Sequence, residues 1–271
     1  MIFGGFSDYK TPHGANIVLC SRLAEFSNLR HGFSTALGGV SKDCFSSLNL
    51  SFNRGDSDEA VFENFRRFAH AAGLSKNAYA FTHQIHENFV REVSSADVFA
   101  PAPNVTAPES DGIITKETGV PLLGKNADCV PILLYAPKAR ICAFAHAGWR
   151  GTAAKIAENA VRAMVSLGAE SSEIIAAVGP SISPCCFLTH SDVTDALLPL
   201  GSHITEGAIS PAPDGRSAVD LKRINGAILD SLGVGEVYVS TECTCCGGEK
   251  YFSHRRSGAA RGSMAAVIEM I

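Results

Sequence analysis

Three residues in the middle of the sequence carry side chains suited to catalysis or to metal binding. His86 lies in Thr-His-Gln-Ile-His-Glu, Cys129 in Asn-Ala-Asp-Cys-Val-Pro, and His146 in Ala-His-Ala-Gly-Trp-Arg-Gly. A thiol beside an imidazole is the nucleophile–base pair of a cysteine hydrolase. Two histidines and a cysteine also suit Zn²⁺ and leave a fourth position for water or substrate. The alternative without chemistry is a buried apolar cysteine among hydrogen-bonded core histidines.

The predicted strands around these residues bring two of them together. The apolar segments 129–135 and 141–146 predict two β-strands joined by a turn at Pro137 and Lys138. If the strands are antiparallel, the start of the first lies opposite the end of the second. Cys129 and His146 would then meet at the same end of the sheet.

Two basic segments predict anion binding. Gly148-Trp-Arg-Gly-Thr152 opens a predicted helix, and backbone N–H groups at a helix N-terminus together with Arg150 suit a phosphate or a carboxylate. The spacing matches neither a Walker loop nor a dinucleotide fingerprint. Ser253-His-Arg-Arg256 adds guanidinium groups for planar oxyanion recognition. An ordinary strand-to-helix turn and a solvated basic turn are the structural alternatives.

Further cysteines form a less regular pattern. Cys243-Thr-Cys-Cys246 contains a C-x-x-C spacing, and Cys185-Cys186 offers a second pair. A zinc ribbon repeats C-x-x-C, whereas the second pair here is adjacent. A redox role lacks a thioredoxin context. The sequence favours buried free thiols.

The remaining pattern predicts one α/β domain over residues 1–271. Strands outnumber helices, and several connections are too short for parallel crossovers, so we expect a mixed β-sheet with helices packed against it. The further predicted strands are 16–20, 30–34, 80–90, 112–115, 174–178, 236–240 and 264–268, and the predicted helices are 57–72, 151–168 and 220–233.

Composition excludes several classes of protein. A chain of 271 residues can bury a full hydrophobic core, and 46% hydrophobic with 18% charged residues excludes a disordered chain. A net charge of −4 without a polybasic tract disfavours nucleic-acid binding. The apolar stretches are too short to cross a bilayer, so we expect no membrane association. Nine cysteines, an odd number, without a visible secretory signal predict reduced thiols in the cytoplasm.

The order of the motifs resembles the bacterial purine nucleoside phosphorylase family with the laccase domain. Some members of that family carry the older name polyphenol oxidase, and others are called peptidoglycan editing factors. The resemblance covers nearly the whole chain, and its most specific parts are Ala127-Asp-Cys129 and His146-Ala-Gly-Trp-Arg-Gly151. The other matching blocks are Gly32–Thr35, Leu37–Ser41, Ser47–Leu50, Gln84–His86, Gly179–Cys186 and Phe252–Arg256.

The resemblance implies a zinc enzyme that acts on purine nucleosides and phosphate. It implies phosphorolysis of adenosine, inosine, guanosine and methylthioadenosine, with adenosine deamination as a second activity. The implied zinc ligands are His86, Cys129 and His146, which are also the implied catalytic residues together with Arg150. Asn49, Arg150 and Arg255 are the residues predicted to bind substrate. The implied fold is related to that of cysteine-type deamidating toxins.

The chain departs from the family pattern at two places. The family commonly has Arg before Leu-Gly-Gly, where this chain has Ala36, and its terminal Thr-Gly-Arg is replaced here by Arg261-Gly262-Ser263. Either Arg261 compensates or phosphorolysis is weak. Asp128 and Glu87 are candidate proton carriers, and Asp128 is equally a candidate for orienting its neighbours.

Three other function classes remain open. A metal-independent cysteine amidohydrolase would use Cys129 and His146, with peptidoglycan precursors as one substrate class. A copper phenol oxidase is disfavoured, because multicopper centres use His-x-His pairs and the sequence has none. A purine-binding protein without activity would bind and not turn over. The sequence leaves the preferred nucleoside and the oligomeric state open.

Overall fold

A computed structural model describes residues 1–11 and 14–271. The strands are Ile2–Phe3 (β1), Phe6–Lys10 (β2), Asn16–Cys20 (β3), Leu29–Ser34 (β4), Ala80–Phe81 (β5), Val90–Glu92 (β6), Gly112–Thr115 (β7), Leu122–Asn126 (β8), Val130–Ala136 (β9), Ile141–Ala147 (β10), Ile175–Val178 (β11), Leu188–Thr189 (β12), Ile209–Pro211 (β13), Ser217–Val219 (β14), Glu236–Val239 (β15) and Met264–Met270 (β16). The α-helices are Ser21–Ala24 (α1), Asp58–Ala71 (α2), Trp149–Ala153 (α3), Ile156–Ser166 (α4), Ser191–Leu197 (α5), Ser202–Thr205 (α6), Leu221–Ser231 (α7) and His254–Ser257 (α8).

The strands form two large sheets and one small one. The first sheet has the order β1-β15-β11-β9-β10-β7-β6, the second β2-β3-β4-β16-β8-β5, and the small one β12-β14-β13. Strand β11 is parallel to β15 and antiparallel to β9, so the first sheet is mixed. The prediction of an α/β fold with mixed sheet and packed helices is confirmed, but a second large sheet takes the place of part of the predicted helical cover.

Side chains buried on both faces explain the continuous apolar sequences of the central strands. In β9, Ile132 and Leu134 pack in a core with helices α4 and α7, whereas Leu133 and Tyr135 lie in the core between the two large sheets. Successive side chains of a strand point to opposite faces, so a strand covered on both sides is apolar throughout. The predicted strand pair is therefore the centre of the molecule.

Helix α2 covers the outer face of the six-stranded sheet. Its buried side chains Val61, Phe65 and Phe68 share a core with residues of β3, β8 and β16. The Ser57 side chain caps the helix by accepting the Ala60 N–H. The order of layers is therefore helices α4 and α7, the seven-stranded sheet, the six-stranded sheet and α2.

Two sequence predictions about elements are corrected by the structure. The segment 80–90 is not one strand: β5 ends at Phe81, β6 begins at Val90, and the loop between them carries His86. The helix predicted over 151–168 begins earlier and is two helices, because Lys155 between α3 and α4 has a left-handed backbone with φ of 62°. Residues 82–84 and 86–88 are polar, and the backbone N–H groups of Ile85, His86 and Glu87 donate to the Asp111 carboxylate instead of to a neighbouring strand.

Two strands of the six-stranded sheet, β2 and β8, are not predicted from the sequence. Strand β8 contains Gly124 and Lys125, residue types that are depleted in strands. A Cβ on Gly124 would lie 1.9 Å from a ring carbon of Phe144, so glycine is what lets the two sheets approach here. Among the helices that the structure describes, none has both the length and the apolarity needed to cross a membrane.

Candidate functional site

Cys129, His86 and His146 meet at one end of the strand pair β9–β10. The strands are antiparallel, with His146 opposite Pro131 and Ala147 opposite Val130, so Cys129, just before β9, lies beside the end of β10. The loop between β5 and β6 brings His86 to the same place. One ligand atom from each of the three side chains lies within 4.8 Å of the others. The predicted meeting of Cys129 and His146 is confirmed.

One buried carboxylate orients both histidines. Asp111, at the start of β7, is fully buried. It accepts a hydrogen bond at 2.8 Å from Nδ1 of His146, and the backbone N–H groups of Ile85, His86 and Glu87 donate to it at 2.9 to 3.1 Å. These bonds hold the loop in which His86 has a φ of 66°. They also direct Nε2 of His146 away from Asp111 and leave it for Cys129.

Cys129 and His146 strongly perturb each other's ionisation. Burial raises the pKa of the Cys129 thiol, but the charges and hydrogen bonds of His146 and His86 outweigh that effect and lower it to about 6. Burial lowers the pKa of His146, but Cys129 and Asp111 outweigh that effect and raise it to about 9. At neutral pH, without a metal ion, Cys129 and His146 therefore form a thiolate–imidazolium pair.

Gly148 makes room for this cluster. A Cβ at this position would lie 3.1 Å from Sγ of Cys129 and 3.2 Å from the His86 ring. The rings of His86 and His146 are 5.0 Å apart and nearly perpendicular, at 81°. Any side chain at Gly148 would have to push one of the three donors away from the others.

The cluster lies in the wall of a cavity of about 600 Å³, within the size range of small-molecule sites. Cationic side chains line the same cavity: Arg54, Lys125, Arg255 and Arg261. Burial and the charge of Arg54 lower the pKa of Lys125. The crowding of like charges costs free energy that a bound anion would offset.

Arg261 combines a hydrogen bond to the backbone with a buried donor that has no partner among the described residues. Its Nη1 donates to the backbone oxygen of Gly262 at 2.8 Å, but its Nε is buried without a hydrogen-bond partner among the described residues. Burial and then the charge of Arg54 lower the pKa of Arg261, against the opposing charges of Asp128 and Cys129. Because Arg261 lines the cavity and carries a positive charge, its guanidinium group suits an oxyanion there.

The structure separates the other predicted substrate-binding residues. Arg255 lines the cavity, whereas Arg150 is exposed and its guanidinium stacks on the Trp149 ring at 4.1 Å. Trp149 lines the cavity, whereas Arg150 does not. Helix α3, which carries both residues, is only five residues long. Asn49 is fully buried outside the cavity lining, where its Oδ1 accepts the backbone N–H groups of Ser51 and Ser263.

Of the two candidate proton carriers, Asp128 is fully occupied by hydrogen bonds. It accepts from the Thr244 and Ser253 hydroxyls at 2.6 and 2.9 Å and from the Arg255 N–H at 2.7 Å. Its backbone φ is 86°. Glu87 is exposed. This arrangement favours the interpretation of Asp128 as a residue that positions Arg255.

Sequence reasoning missed Asp111, Arg54 and Lys125. The signal for Asp111 is its position directly before an apolar strand, in Ser110-Asp111-Gly112. A carboxylate buried at such a position needs several hydrogen-bond donors and therefore organises the residues around it. Lys125 stands four residues before Cys129 and so shares its neighbourhood. Arg54 lies in a loop far away in sequence, and no local pattern marks it.

Comparison with known proteins identifies the family of the chain. A family model described as multi-copper polyphenol oxidoreductase laccase matches residues 30–271. The chain belongs to this family. The resemblance inferred from its motifs is thereby confirmed.

Relatives within the family are similar over most of the chain. Purine nucleoside phosphorylase YlmD of Geobacillus stearothermophilus is 37% identical over 255 residues, which are 90% of each chain. A purine nucleoside phosphorylase of Deinococcus radiodurans is 37% identical over 240 residues, 88% of each chain. The crystal structure of YlmD from Geobacillus stearothermophilus superposes with a TM-score of 0.87 at 33% identity, covering 97% of this chain and 98% of that one.

Proposed function

We propose that this protein is a zinc-dependent purine nucleoside phosphorylase that acts on adenosine, inosine, guanosine and methylthioadenosine. The observation that carries the proposal is the convergence of His86, Cys129 and His146 in the wall of a cavity lined by four cations. The names of the relatives point to the same reaction. Phosphate and a nucleoside must be bound side by side, and the cavity has the volume for both.

The cations of the cavity fit the phosphate. In phosphorolysis a phosphate oxygen forms a bond to C1′ of the ribose, the bond from C1′ to the purine nitrogen breaks, and the purine leaves with the electron pair and takes up a proton. Arg261, Arg54 and Lys125, which line the cavity together, would hold the phosphate and offset its charge. Arg255, whose backbone N–H donates to Asp128, would also bind the substrate. Arg150 and Asn49 would then act through Trp149 and Ser263.

The donor atoms fit zinc. One nitrogen from each histidine and Sγ of Cys129 lie close enough for a single ion, with a fourth position left towards the cavity. Asp111 supplies the carboxylate behind the histidine that is typical of such sites. When bound, zinc would supply Lewis-acid polarisation of the substrate. Adenosine deamination is proposed as a second activity at the same position.

The test measures metal content and nucleobase release together. Untagged wild-type protein should contain zinc at this cluster, and it should release adenine from adenosine only when phosphate is present. The matched Cys129→Ala protein should bind no zinc at this cluster and should release no adenine. Cys44→Ser, an exposed cysteine far from the cluster in sequence, is the control. Copper in place of zinc would overturn the metal assignment, and inosine formation without phosphate dependence would make deamination the main reaction.

A specific observation favours a second candidate, a metal-independent cysteine amidohydrolase. Cys129, His146 and Asp111 are arranged as nucleophile, base and orienting carboxylate, and Cys129 is ionised at neutral pH. The implied relation to deamidating toxins belongs to this proposal. Amide hydrolysis that persists in chelator and is lost on alkylation of Cys129 would support it, and full activity of alkylated protein would exclude it.

A further inference from the structure

A second group of cysteines lies where two loops meet, outside the cavity. Cys185 and Cys186 follow β11, and Cys243 and Cys246 follow β15, its parallel neighbour, so both loops leave the same edge of the sheet. The four Sγ atoms lie within 4.8 Å of one another. Of the described residues that line the cavity, none is one of these four.

The spacing of the sulfur atoms is that of metal ligands. Sγ of Cys185 and Sγ of Cys246 are 3.6 Å apart. A disulfide bond brings two sulfur atoms to about 2.0 Å. Four thiolates about 2.3 Å from a tetrahedral zinc ion are about 3.8 Å from one another. The observed distance lies near the second value.

The backbone around Cys243 is arranged to support a thiolate. The N–H of Ser183 donates to Sγ of Cys243 at 3.3 Å. The N–H of Thr244 donates to the Ser181 oxygen at 3.1 Å, which joins the two loops beside the cysteines. Amide donors directed at a sulfur atom favour its charged form, the form that binds metal.

A buried ammonium group lies beside the cluster. Lys222 is only 3% exposed, and its Nζ donates to Oγ of Ser183 at 2.8 Å and to the backbone oxygen of Glu242 at 2.6 Å. Its charge interacts with Cys243 and Cys185. A buried cation needs compensating negative charge, and a zinc ion with four thiolates carries a net charge of −2.

We propose that Cys185, Cys186, Cys243 and Cys246 bind a structural Zn²⁺ ion. Each thiol loses its proton to solvent as its sulfur binds, and four protein ligands leave no position for substrate. The ion would fasten the loop after β11 to the loop after β15. Nη1 of Arg255, which lines the cavity, donates to the Cys186 backbone oxygen at 2.8 Å. The bound ion would therefore also hold one wall of the cavity in place.

The proposal does not depend on the nucleoside chemistry, and its test removes the first metal site. Cys129→Ala protein, purified without a tag, should still contain about one zinc per chain. Adding Cys185→Ser and Cys246→Ser should remove that zinc, whereas adding Cys44→Ser should not. Cobalt in place of zinc should give Cys129→Ala protein the intense thiolate-to-metal absorption of a tetrahedral site, and this absorption should be absent from the triple variant.

A second measurement covers a triple variant that fails to fold. In native Cys129→Ala protein, titration with a mercurial thiol reagent should release the zinc as four thiols react. Cys129→Ala protein purified without metal, with these thiols reactive before any chelator is added, would overturn the proposal. A Cys185–Cys246 disulfide found by mass spectrometry after anaerobic purification would also overturn it.

Discussion

The two sulfur clusters of this chain lie beside the same ends of the strands of one sheet, and they differ in the groups that surround the sulfur atoms. The start of β9 and the ends of β10, β11 and β15 all lie on this side of the sheet. The first cluster combines one cysteine with two histidines in the wall of a large cavity. The second has four cysteines and lies outside that cavity.

The difference shows that the type of donor atoms and the access of substrate to them together distinguish a catalytic metal site from a structural one. Three donors and an adjoining cavity leave room for a substrate, and the carboxylate of Asp111 fixes the histidine orientation that such a site needs. Four cysteines can complete a tetrahedral site and leave no open position. The two proposals therefore differ in kind: catalysis at the first cluster and the joining of two loops at the second.

The largest effect is expected from removing the one sulfur of the first cluster. Cys129→Ala should lower nucleoside turnover to below about one thousandth of the wild-type value, since it removes both a ligand and a reactive group. Zinc at the four-cysteine cluster should remain. Turnover and metal content measured on the same preparation check this, and retained turnover without metal at the first cluster would contradict the comparison.

The next effect tests the carboxylate that orients His146 in the first cluster. Asp111→Asn keeps the shape of the side chain but weakens its hydrogen bond to His146, so metal affinity and turnover should each fall by about 10- to 100-fold. The metal at the four-cysteine cluster should be unaffected. Competition with a chelator gives the affinities, and Asp214→Asn, at an exposed site, is the control. Wild-type affinity in Asp111→Asn would remove Asp111 from the account.

A smaller effect tests the cations that line the cavity beside the first cluster. Arg261→Gln should raise the KM for phosphate by about 10-fold, because it removes a charged hydrogen bond to the anion, and should leave the KM for the nucleoside nearly unchanged. Steady-state kinetics with each substrate varied in turn measures both values. Arg216→Gln, at an exposed arginine paired with Asp214, is the matched control. An unchanged phosphate KM would place the phosphate elsewhere.

The smallest effect is a difference in pH dependence between the sulfurs of the two clusters. In metal-depleted protein, iodoacetamide should alkylate Cys129 at a rate that falls by about half as the pH drops to about 6, since the thiolate is the reactive form and its pKa is lowered to about 6. Burial and Cys246 raise the pKa of Cys185 to about 11, so its rate should still be rising at pH 9. Mass spectrometry at several pH values separates the two, and similar profiles would contradict the assigned environments.

The sequence predicts the strand pair and the meeting of Cys129 with His146 because both depend on local signals. Apolar segments define β9 and β10, and a short turn between them requires antiparallel pairing. His86 is proposed for the site from its residue type and again from the resemblance to the family, but no predicted strand pairing brings it there. Its loop conformation depends on hydrogen bonds to Asp111, 25 residues away, which no local pattern records.

The second sheet and the four-cysteine cluster are beyond local reasoning for the same physical cause. Strand β8 pairs with β16 from the far end of the chain, and its glycine is explained only by Phe144 from the other sheet. The adjacent cysteines Cys185 and Cys186 fit no spacing rule for zinc ribbons. Their relation to Cys243 and Cys246 arises because β11 and β15 are parallel neighbours.

The fate of phosphate in the reaction with adenosine tests the central claim most directly. Wild-type protein incubated with adenosine and inorganic phosphate, followed by phosphorus NMR and chromatography, should form ribose 1-phosphate and adenine in equal amounts. Cys129→Ala protein should form neither. Inosine formed with phosphate unchanged, or no turnover of any purine nucleoside by wild-type protein loaded with zinc, would contradict the assignment of the cavity to phosphorolysis.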